Sequence, residues 1–339
     1  MTSITIAIDA MGGDRGLEVT VPAAIQALNR YPDLRLILVG HTDQLKSELG
    51  DNLDTFGERL LIEHAEEVVA MDELPSKALR YKKRSSMRLS INLVKQGRAD
   101  ACVSAGNTGA LMATAKFVLK TIPGISRPAI MGVIPAPKGN GFVRMLDLGA
   151  NVDVSADSLY QFALMGAALC QAVDKKTYPK IALLNIGEEV IKGDEATKEA
   201  SYLLQKDNQL NYVGFIEGDD IYSDKSDVVV CDGFSGNVAL KTSEGLARFI
   251  RQEIYDSFRQ NLLTKVSALT VWPVLRSLRK RLSPASYNGA TLIGLQGTVI
   301  KSHGGTSVQG FVSAIEKART EKNNNVLTQI NKYFANRLE

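Results

Sequence analysis

Short apolar runs that end on glycine-rich polar turns, with helix-patterned stretches between them, constrain this chain more than any other feature. Leu34 to Val39 reads LRLILV and stops at Gly40, and Ile181 to Leu184 stops at Asn185 and Gly187. Ala101 to Val103 and Val228 to Cys231 each close on a glycine loop. Ile4, Ile6 and Ile8 alternate with smaller neighbours and run into Asp9 and a glycine pair, the pattern of a first strand rather than of a signal peptide. Helical patterns such as Ser158 to Val173 lie between these runs. Strands separated by helices predict an α/β fold with a largely parallel sheet covered on both faces. In such sheets ligands sit beyond the carboxyl ends of the strands. At 339 residues the chain is read as one large α/β domain, 1–339, with a helical excursion at 244–282.

Composition narrows the function classes. With 45% apolar and 23% charged residues, disorder and collagen-like repeats are excluded. A net charge of +3 and an aromatic share of 6% argue against a nucleic-acid partner. Cys102, Cys170 and Cys231 are far apart and show no C-x-x-C spacing, so they read as small core residues in a reducing compartment. No run approaches the roughly 18 apolar residues of a membrane span, and the expected location is the cytoplasm. His41, His64 and His303 have no metal-ligand spacing, and nothing completes a ligand set around Glu188 and Glu189. Neither a metal nor a cofactor is therefore expected. The G-x-x-x-x-G-K-[ST] loop, a strand-borne G-x-G-x-x-G and the G-x-S-x-G elbow are all missing.

Three glycine loops point to an anion instead. Asp100-Ala-Cys-Val-Ser-Ala-Gly106-Asn-Thr-Gly109 and Asp227-Val-Val-Val-Cys-Asp-Gly233-Phe-Ser-Gly236 share one plan: an aspartate, an apolar strand, two glycines three apart, then a helix. Lys301-Ser-His303-Gly304-Gly305-Thr306-Ser307 also follows a strand-like run and precedes a helix, Val308 to Ala318. Glycine lets backbone approach a ligand closely, and a helix N-terminus offers free N–H groups to a phosphate.

The region Glu244 to Leu282 differs in kind. Ile250, Ile254, Phe258, Leu262 and Val266 fall four apart as one apolar stripe, continued by Leu269, Val271 and Trp272. Pro273 is expected to kink or end a helix, and Arg276, Arg279, Lys280 and Arg281 follow. Apolar residues with the single tryptophan and flanking cations have the composition of an interfacial membrane anchor, or of a helical hairpin that packs on a partner chain. A second basic cluster, Arg80, Lys82, Lys83, Arg84 and Arg88, reads as a solvated helix face or a receptor for an acidic partner or phosphate.

Longer motifs carry a family resemblance. Asp9-Ala-Met-Gly-Gly-Asp14, Ser104-Ala-Gly-Asn-Thr-Gly109-Ala and Met145-Leu-Asp-Leu-Gly-Ala-Asn-Val-Asp153 resemble the bacterial phosphate acyltransferases of the PlsX type. So do Asn185-Ile-Gly-Glu-Glu, Lys192-Gly193, Gly214-Phe-Ile-Glu-Gly218, Asp232-Gly-Phe-Ser-Gly-Asn237 and Lys301-Ser-His-Gly304, in the family's order from Ile4 to Ala318. The resemblance implies a three-layer α/β/α sandwich similar to phosphotransacetylases and isopropylmalate dehydrogenases. It implies a homodimer that associates peripherally with the membrane. It also implies a reaction: long-chain acyl-[acyl carrier protein] and inorganic phosphate give acyl phosphate, which a glycerol-3-phosphate acyltransferase then consumes.

For that reaction the expected groups are as follows. Ser104, Gly106, Asn107, Thr108 and Gly109 are expected to hold phosphate, and Ser235, Gly236 and Asn237 the same anion or the thioester oxygen. Lys192 is the expected cation and His303 the acid for the leaving thiol, with Asp9, Gly12, Gly13 and Asp14 in support. Lys82, Lys83 and Arg84 are expected to dock the carrier protein, and Leu269, Val271 and Trp272 to reach an anionic membrane surface. Two other readings share these residues: a CoA-dependent phosphotransacetylase, and a non-catalytic membrane-associated scaffold of lipid synthesis.

Overall fold

The structure, a computed structural model, describes residues 3–136, 141–281 and 284–338. Its strands are β1 (Ile4–Asp9), β2 (Leu34–Gly40), β3 (Leu60–His64), β4 (Ala101–Ser104), β5 (Ala129–Pro135), β6 (Phe142–Leu146), β7 (Lys180–Leu184), β8 (Asn211–Ile216), β9 (Val228–Val230), β10 (Ala290–Ile293) and β11 (Thr298–Lys301). The α-helices are α1 (Leu17–Arg30), α2 (Thr42–Leu49), α3 (Asn52–Phe56), α4 (Pro75–Tyr81), α5 (Ser86–Lys95), α6 (Thr108–Leu119), α7 (Ala156–Leu169), α8 (Glu195–Lys206), α9 (Gly233–Ser257), α10 (Leu262–Arg281), α11 (Val308–Asn323) and α12 (Val326–Leu338). The helix expected at 158–173 is α7, followed by a wider π-type turn over Cys170–Asp174.

One sheet of eleven strands among the described residues runs in the order β3-β2-β1-β4-β11-β10-β5-β6-β9-β7-β8. Residue alternation sends successive side chains to opposite faces. Ile4, Ile6 and Ile8 pack with α1 and α11, while Ala7 packs with residues of α5. Val228 and Val230 meet α7, whereas Val229 lies in the core shared by α5, α6 and the start of α9. Helices thus cover both faces, giving the three-layer α/β/α sandwich.

The sheet is largely parallel, but in two blocks of opposite sense. β3, β2, β1, β4 and β11 are mutually parallel neighbours, and β6, β9, β7 and β8 form a second parallel set. Between them β10 is antiparallel to both β11 and β5, and β5 is antiparallel to β6. The carboxyl ends of β4 and β11 therefore point one way along the strand direction and that of β9 the other. A single edge does not collect all three glycine loops.

Helix starts follow side-chain caps. Asn107, Ser155, Asp232 and Ser307 each accept a hydrogen bond from a backbone N–H in the first turn of α6, α7, α9 and α11. No residue of α9 beyond Gly236 is buried, and α10 is exposed along most of its described side chains. The expected stripe from Ile250 to Val266 does not lie on one helix. Asn261 ends it, because its Oδ1 accepts from Thr264 N at 3.0 Å while Thr264 Oγ1 accepts from Asn261 N at 3.1 Å, a reciprocal cap that starts α10. α10 runs on through Pro273 instead of ending there. On an exposed helix, water is available to the carbonyl that proline leaves without an N–H partner. Residue 282, the end of the expected excursion, lies outside the described residues, as do the side chains of Arg279, Lys280 and Arg281.

Candidate active site

Three neighbouring strands end in register on polar residues: Asp9 pairs with Ser104, and Ser104 with Lys301. All three are buried. The Asp9 carboxylate accepts from Ser86 Oγ and Ser104 Oγ, each at 2.6 Å, and Gly106 N donates to Ser104 Oγ at 3.0 Å. Lys301 Nζ donates to the carbonyls of Ala105, at 3.4 Å, and Ser302. It thereby ties the loop after β4 to the loop after β11. Burial pushes the Asp9 carboxyl above the ordinary aspartate range, against the lowering effect of both hydroxyls and of Lys301. Burial likewise lowers the Lys301 amine to about 8, with Asp9 and Asp14 pulling the other way.

The glycines keep this row compact. A Cβ on Gly12 would lie 2.5 Å from Asp9 Oδ2 and 2.9 Å from Gly106 N. Gly13 adopts φ +99°, a conformation open to glycine and strained for other residues. The turn is pinned by Asp14 N, which donates to Gly304 O at 3.1 Å. His303, on the same loop, is exposed, and its Nδ1 accepts from Gly305 N at 3.2 Å. That bond leaves Nε2 as the protonated nitrogen of the neutral ring. Partial desolvation and Lys241 lower its pKa, with Lys301 adding to this and Glu244 and Asp14 opposing it.

Asn107 has little freedom. Its Oδ1 caps α6 through Ala110 N at 2.9 Å, and its Nδ2 donates to the carbonyls of Met71 at 2.8 Å and Glu73 at 3.0 Å. Thr108 and Gly109 open the first turn of α6.

A second cluster gathers at the ends of β6 and β9. Asp147, buried, accepts from the N–H groups of Ile130, Gly149, Ala150 and Asn151 and from the Asn151 amide, at 2.7 to 3.2 Å. Burial raises its carboxyl above the usual range against those donors. Gly236 sits so close to Asp147 O that a Cβ there would overlap it, and Gly233 N donates to Asn151 O at 2.7 Å. Ser235 N is taken by the capping Asp232 at 2.8 Å. Asn237 is exposed and adjoins Gly149. From here α9 runs toward the first cluster, where Lys241, ion-paired to Glu244 at 2.9 Å, acts electrostatically on both Lys301 and His303.

Lys192 stands apart. It pairs with Glu189 at 2.9 Å on an exposed loop, which raises its pKa, and its carbonyl accepts from Asn185 Nδ2 at 3.1 Å. The structure thus joins Asp9, Gly12, Gly13, Asp14, Ser104, Gly106 and His303, groups Ser235, Gly236 and Asn237 around Asp147, and leaves Lys192 outside both groups. Ser86, Lys241 and Lys301 enter the first cluster in addition. Lys301 had a signal, a charge at the end of the apolar run Thr-Val-Ile. Ser86 had none, since it reaches Asp9 from 77 residues away. Lys82, Lys83 and Arg84 follow α4 on the surface. Among the described residues no three His, Cys, Asp or Glu side chains converge as metal ligands, and no helix is long and apolar enough to cross a membrane. The three cysteines are buried free thiols.

Known proteins share both the fold and the sequence. Phosphotransacetylases from Streptococcus pyogenes (TM-score 0.60, 19% identity, 94% of each chain covered) and Staphylococcus aureus (the EutD enzyme; TM-score 0.58, 18% identity, 98% of this chain and 94% of that one) have similar folds. A phosphate acyltransferase from Legionella pneumophila strain Paris is 56% identical over 327 residues, 96% of this chain and 95% of its own. One from Hydrogenovibrio crunogenus is 54% identical over 324 residues, with 96% and 95% covered. The model of the fatty acid synthesis protein family matches residues 4–329. Glycine loops, fold and near full-length identity agree: this chain is an acyltransferase and belongs to the phosphate acyltransferase (PlsX) family.

Proposed function

We propose that the chain transfers a long-chain acyl group from acyl-[acyl carrier protein] to inorganic phosphate, releasing acyl phosphate and the free carrier thiol. The observation that carries this reading is the in-register row Asp9–Ser104–Lys301 beneath the glycine loops. It fixes two loops whose N–H groups suit an oxyanion and places a buried ammonium behind them. A phosphate oxygen attacks the thioester carbonyl, the carbon–oxygen bond forms, and the carbon–sulfur bond then breaks with its electron pair on sulfur. Phosphate needs placement more than activation, and loop amides supply it. Fixed donors at Thr108 and Gly109, with Asn237, hold developing negative charge, while Gly106 N, held by Ser104 Oγ, shapes the loop. Ser104 and Asn107 act by shaping the loop. The Nε2–H of His303 donates a hydrogen bond to the departing sulfur, and the proton that hydrogen phosphate sheds as the acyl phosphate dianion forms ends on the thiolate. Lys192 serves the thioester end of the site from the β7 loop.

The product is amphiphilic, so its consumer is a membrane glycerol-3-phosphate acyltransferase, and this enzyme works as a cytoplasmic homodimer at an anionic bilayer surface. Lys82, Lys83 and Arg84 contribute to carrier docking. The test is phosphate-dependent thiol release, measured side by side with a long-chain acyl carrier protein and the matching acyl-CoA. Faster turnover of the carrier thioester is expected. Preference for acyl-CoA makes the enzyme a phosphotransacetylase, and no phosphate-dependent cleavage of either makes it a scaffold.

A further inference from the structure

Charge is distributed very unevenly along this chain. From Leu74 to Leu146 it carries thirteen Lys and Arg against one acidic residue, Asp100, although the whole chain nets only +3. The remainder is therefore acidic, and the excess of cations is local. Five of these cations, Lys77, Arg80, Arg88, Lys95 and Lys116, lie on α4, α5 and α6, and α6 packs against both α4 and α5 on one face of the sheet.

The structure shifts attention within that surface. Arg84 is already neutralised by Glu66 at 2.8 Å, and its backbone N–H is taken by Glu67 at 2.9 Å. Arg88, Lys116 and Lys120 have no carboxylate partner among the described residues. Arg88 and Lys120 flank Phe117, which is 53% exposed, and Lys116 precedes it on α6. The Arg88 guanidinium lies 5.2 Å and Lys120 Nζ 4.9 Å from the ring centre. Cations stacked on an aromatic ring keep their charge available at the ring's edge, and the ring offers apolar area to whatever covers it. Partial burial lowers the Arg88 pKa with no anion to compensate. A carboxylate from outside would supply that anion.

This surface also adjoins the candidate site. α6 begins at the glycine loop, and α4 begins at Pro75, so close to Gly109 that a Cβ there would lie 2.7 Å from Pro75 Cγ. Phe117 lies nine residues along α6 from Thr108, about 14 Å at 1.5 Å per residue, so a partner docked there extends its thioester along that helix to reach the loop.

We propose that Phe117, with Arg88, Lys116 and Lys120, is the anchor for an acidic helix of the protein that carries the acyl group. The inference rests on the carrier-protein reading above and places its centre of contact on α5 and α6 rather than at Lys82 to Arg84. Opposite charges speed encounter and fix register, and a single aromatic at the centre supplies the desolvated contact.

The test compares R88E/K120E, F117A and wild type on two thioesters, a long-chain acyl carrier protein and the same acyl group on pantetheine, which lacks the acidic protein. For R88E/K120E we expect KM for the carrier substrate to rise at least tenfold and its salt dependence to flatten, with kcat/KM for acyl-pantetheine unchanged. For F117A we expect a rise of several-fold with the salt dependence retained. Unchanged carrier KM in both variants overturns the proposal, and so does an equal loss on both thioesters, which marks a structural role. Co-sedimentation with anionic phosphatidylglycerol vesicles that is lost in R88E/K120E while carrier KM stays normal assigns the patch to membrane, and also overturns it. A wild-type enzyme that cleaves acyl-pantetheine or acyl-CoA but not the carrier thioester fails the underlying reading instead.

Discussion

Two buried aspartates stand at strand ends in the two halves of the sheet, and they are used differently. Asp147 spends its oxygens on backbone N–H groups of Ile130 and residues 149–151, so it builds a turn. Asp9 is held by two hydroxyls and faces a buried ammonium, so its neighbours carry mobile protons and charge. The first arrangement makes shape and the second makes an electrostatic site. Burial raises both carboxyls, so a raised pKa alone does not separate the two roles; the partners do.

The largest effect expected follows from that contrast. Asp147→Ala leaves the buried Ile130 N–H and the partly buried N–H groups of residues 149–151 without their acceptor, where a fully buried group costs about 1–3 kcal/mol. We expect a loss of about 3–5 kcal/mol in urea unfolding at unchanged m-value. Asp9→Asn keeps the shape, and the serine hydroxyls can reorient toward an amide, so its stability should fall far less. Equal losses in the two variants would erase the distinction.

Next come the polar groups of the second half. Asn237→Ala and Lys192→Ala are each expected to lose at least tenfold in turnover while unfolding like wild type. Removal of one fixed oxyanion donor commonly costs 10²–10³ in rate, so ~10 is a lower bound. Lys192 gives the sharper test, since it pairs with Glu189 outside both clusters. Full activity in Lys192→Ala would leave all the chemistry to α9 and the Asp9 row.

A smaller effect concerns pH. Lys301 has a folded pKa of about 8 against 10.5 in the open chain. Below pH 8 both states are protonated, and the fold bears the full penalty of a buried charge. Between about 8 and 10.5 the unfolded chain binds more protons, so this group's contribution to stability rises with pH. Anion binding runs the opposite way, because the ammonium is lost. Phosphate KM should therefore rise several-fold above pH 8 while wild type gains stability relative to Lys301→Met. Asp9→Asn removes the attraction that holds this pKa up, so its alkaline limb should begin at lower pH. A phosphate KM with the same pH dependence in wild type and Lys301→Met would take the lysine out of anion binding.

How far the sequence disclosed these features depends on range. Strands and helix starts are local: alternation at Ile4, Ile6 and Ile8, and caps such as Asp232 and Ser307, are visible within a few residues. The glycine loops were legible for the same reason. The reversal of sheet sense at β10, β5 and β6 was not, because strand pairing joins segments far apart and no residue pattern encodes its direction. Ser86 was hidden likewise, as an ordinary helix-start serine until the fold carries it to Asp9. The break at Asn261 was local but masked by apolar residues that keep a spacing of four across it.

The smallest effect on the fold, and the most diagnostic for location, concerns α10. Leu269 and Trp272 are 76% and 55% exposed, and Val271 is also exposed. Replacing all three with alanine removes no buried contact, so stability should change by no more than about 0.5 kcal/mol. Turnover of a soluble thioester should likewise stay at the wild-type level. Membrane affinity is another matter. Transfer of apolar area contributes about 25 cal/mol per Å², and an aromatic side chain of this size offers over a hundred Å². A basic residue at the surface, such as exposed Arg276, adds about 1 kcal/mol near anionic lipid. The triple variant should therefore lose co-sedimentation with anionic vesicles and keep its activity in solution, the reverse of the Lys192 and Asn237 outcome. Wild-type co-sedimentation would remove the anchor from α10. A variant that turns from dimer to monomer in analytical ultracentrifugation would show that this exposed face is covered by a second copy of the chain, and the apolar surface would then belong to assembly rather than to the membrane.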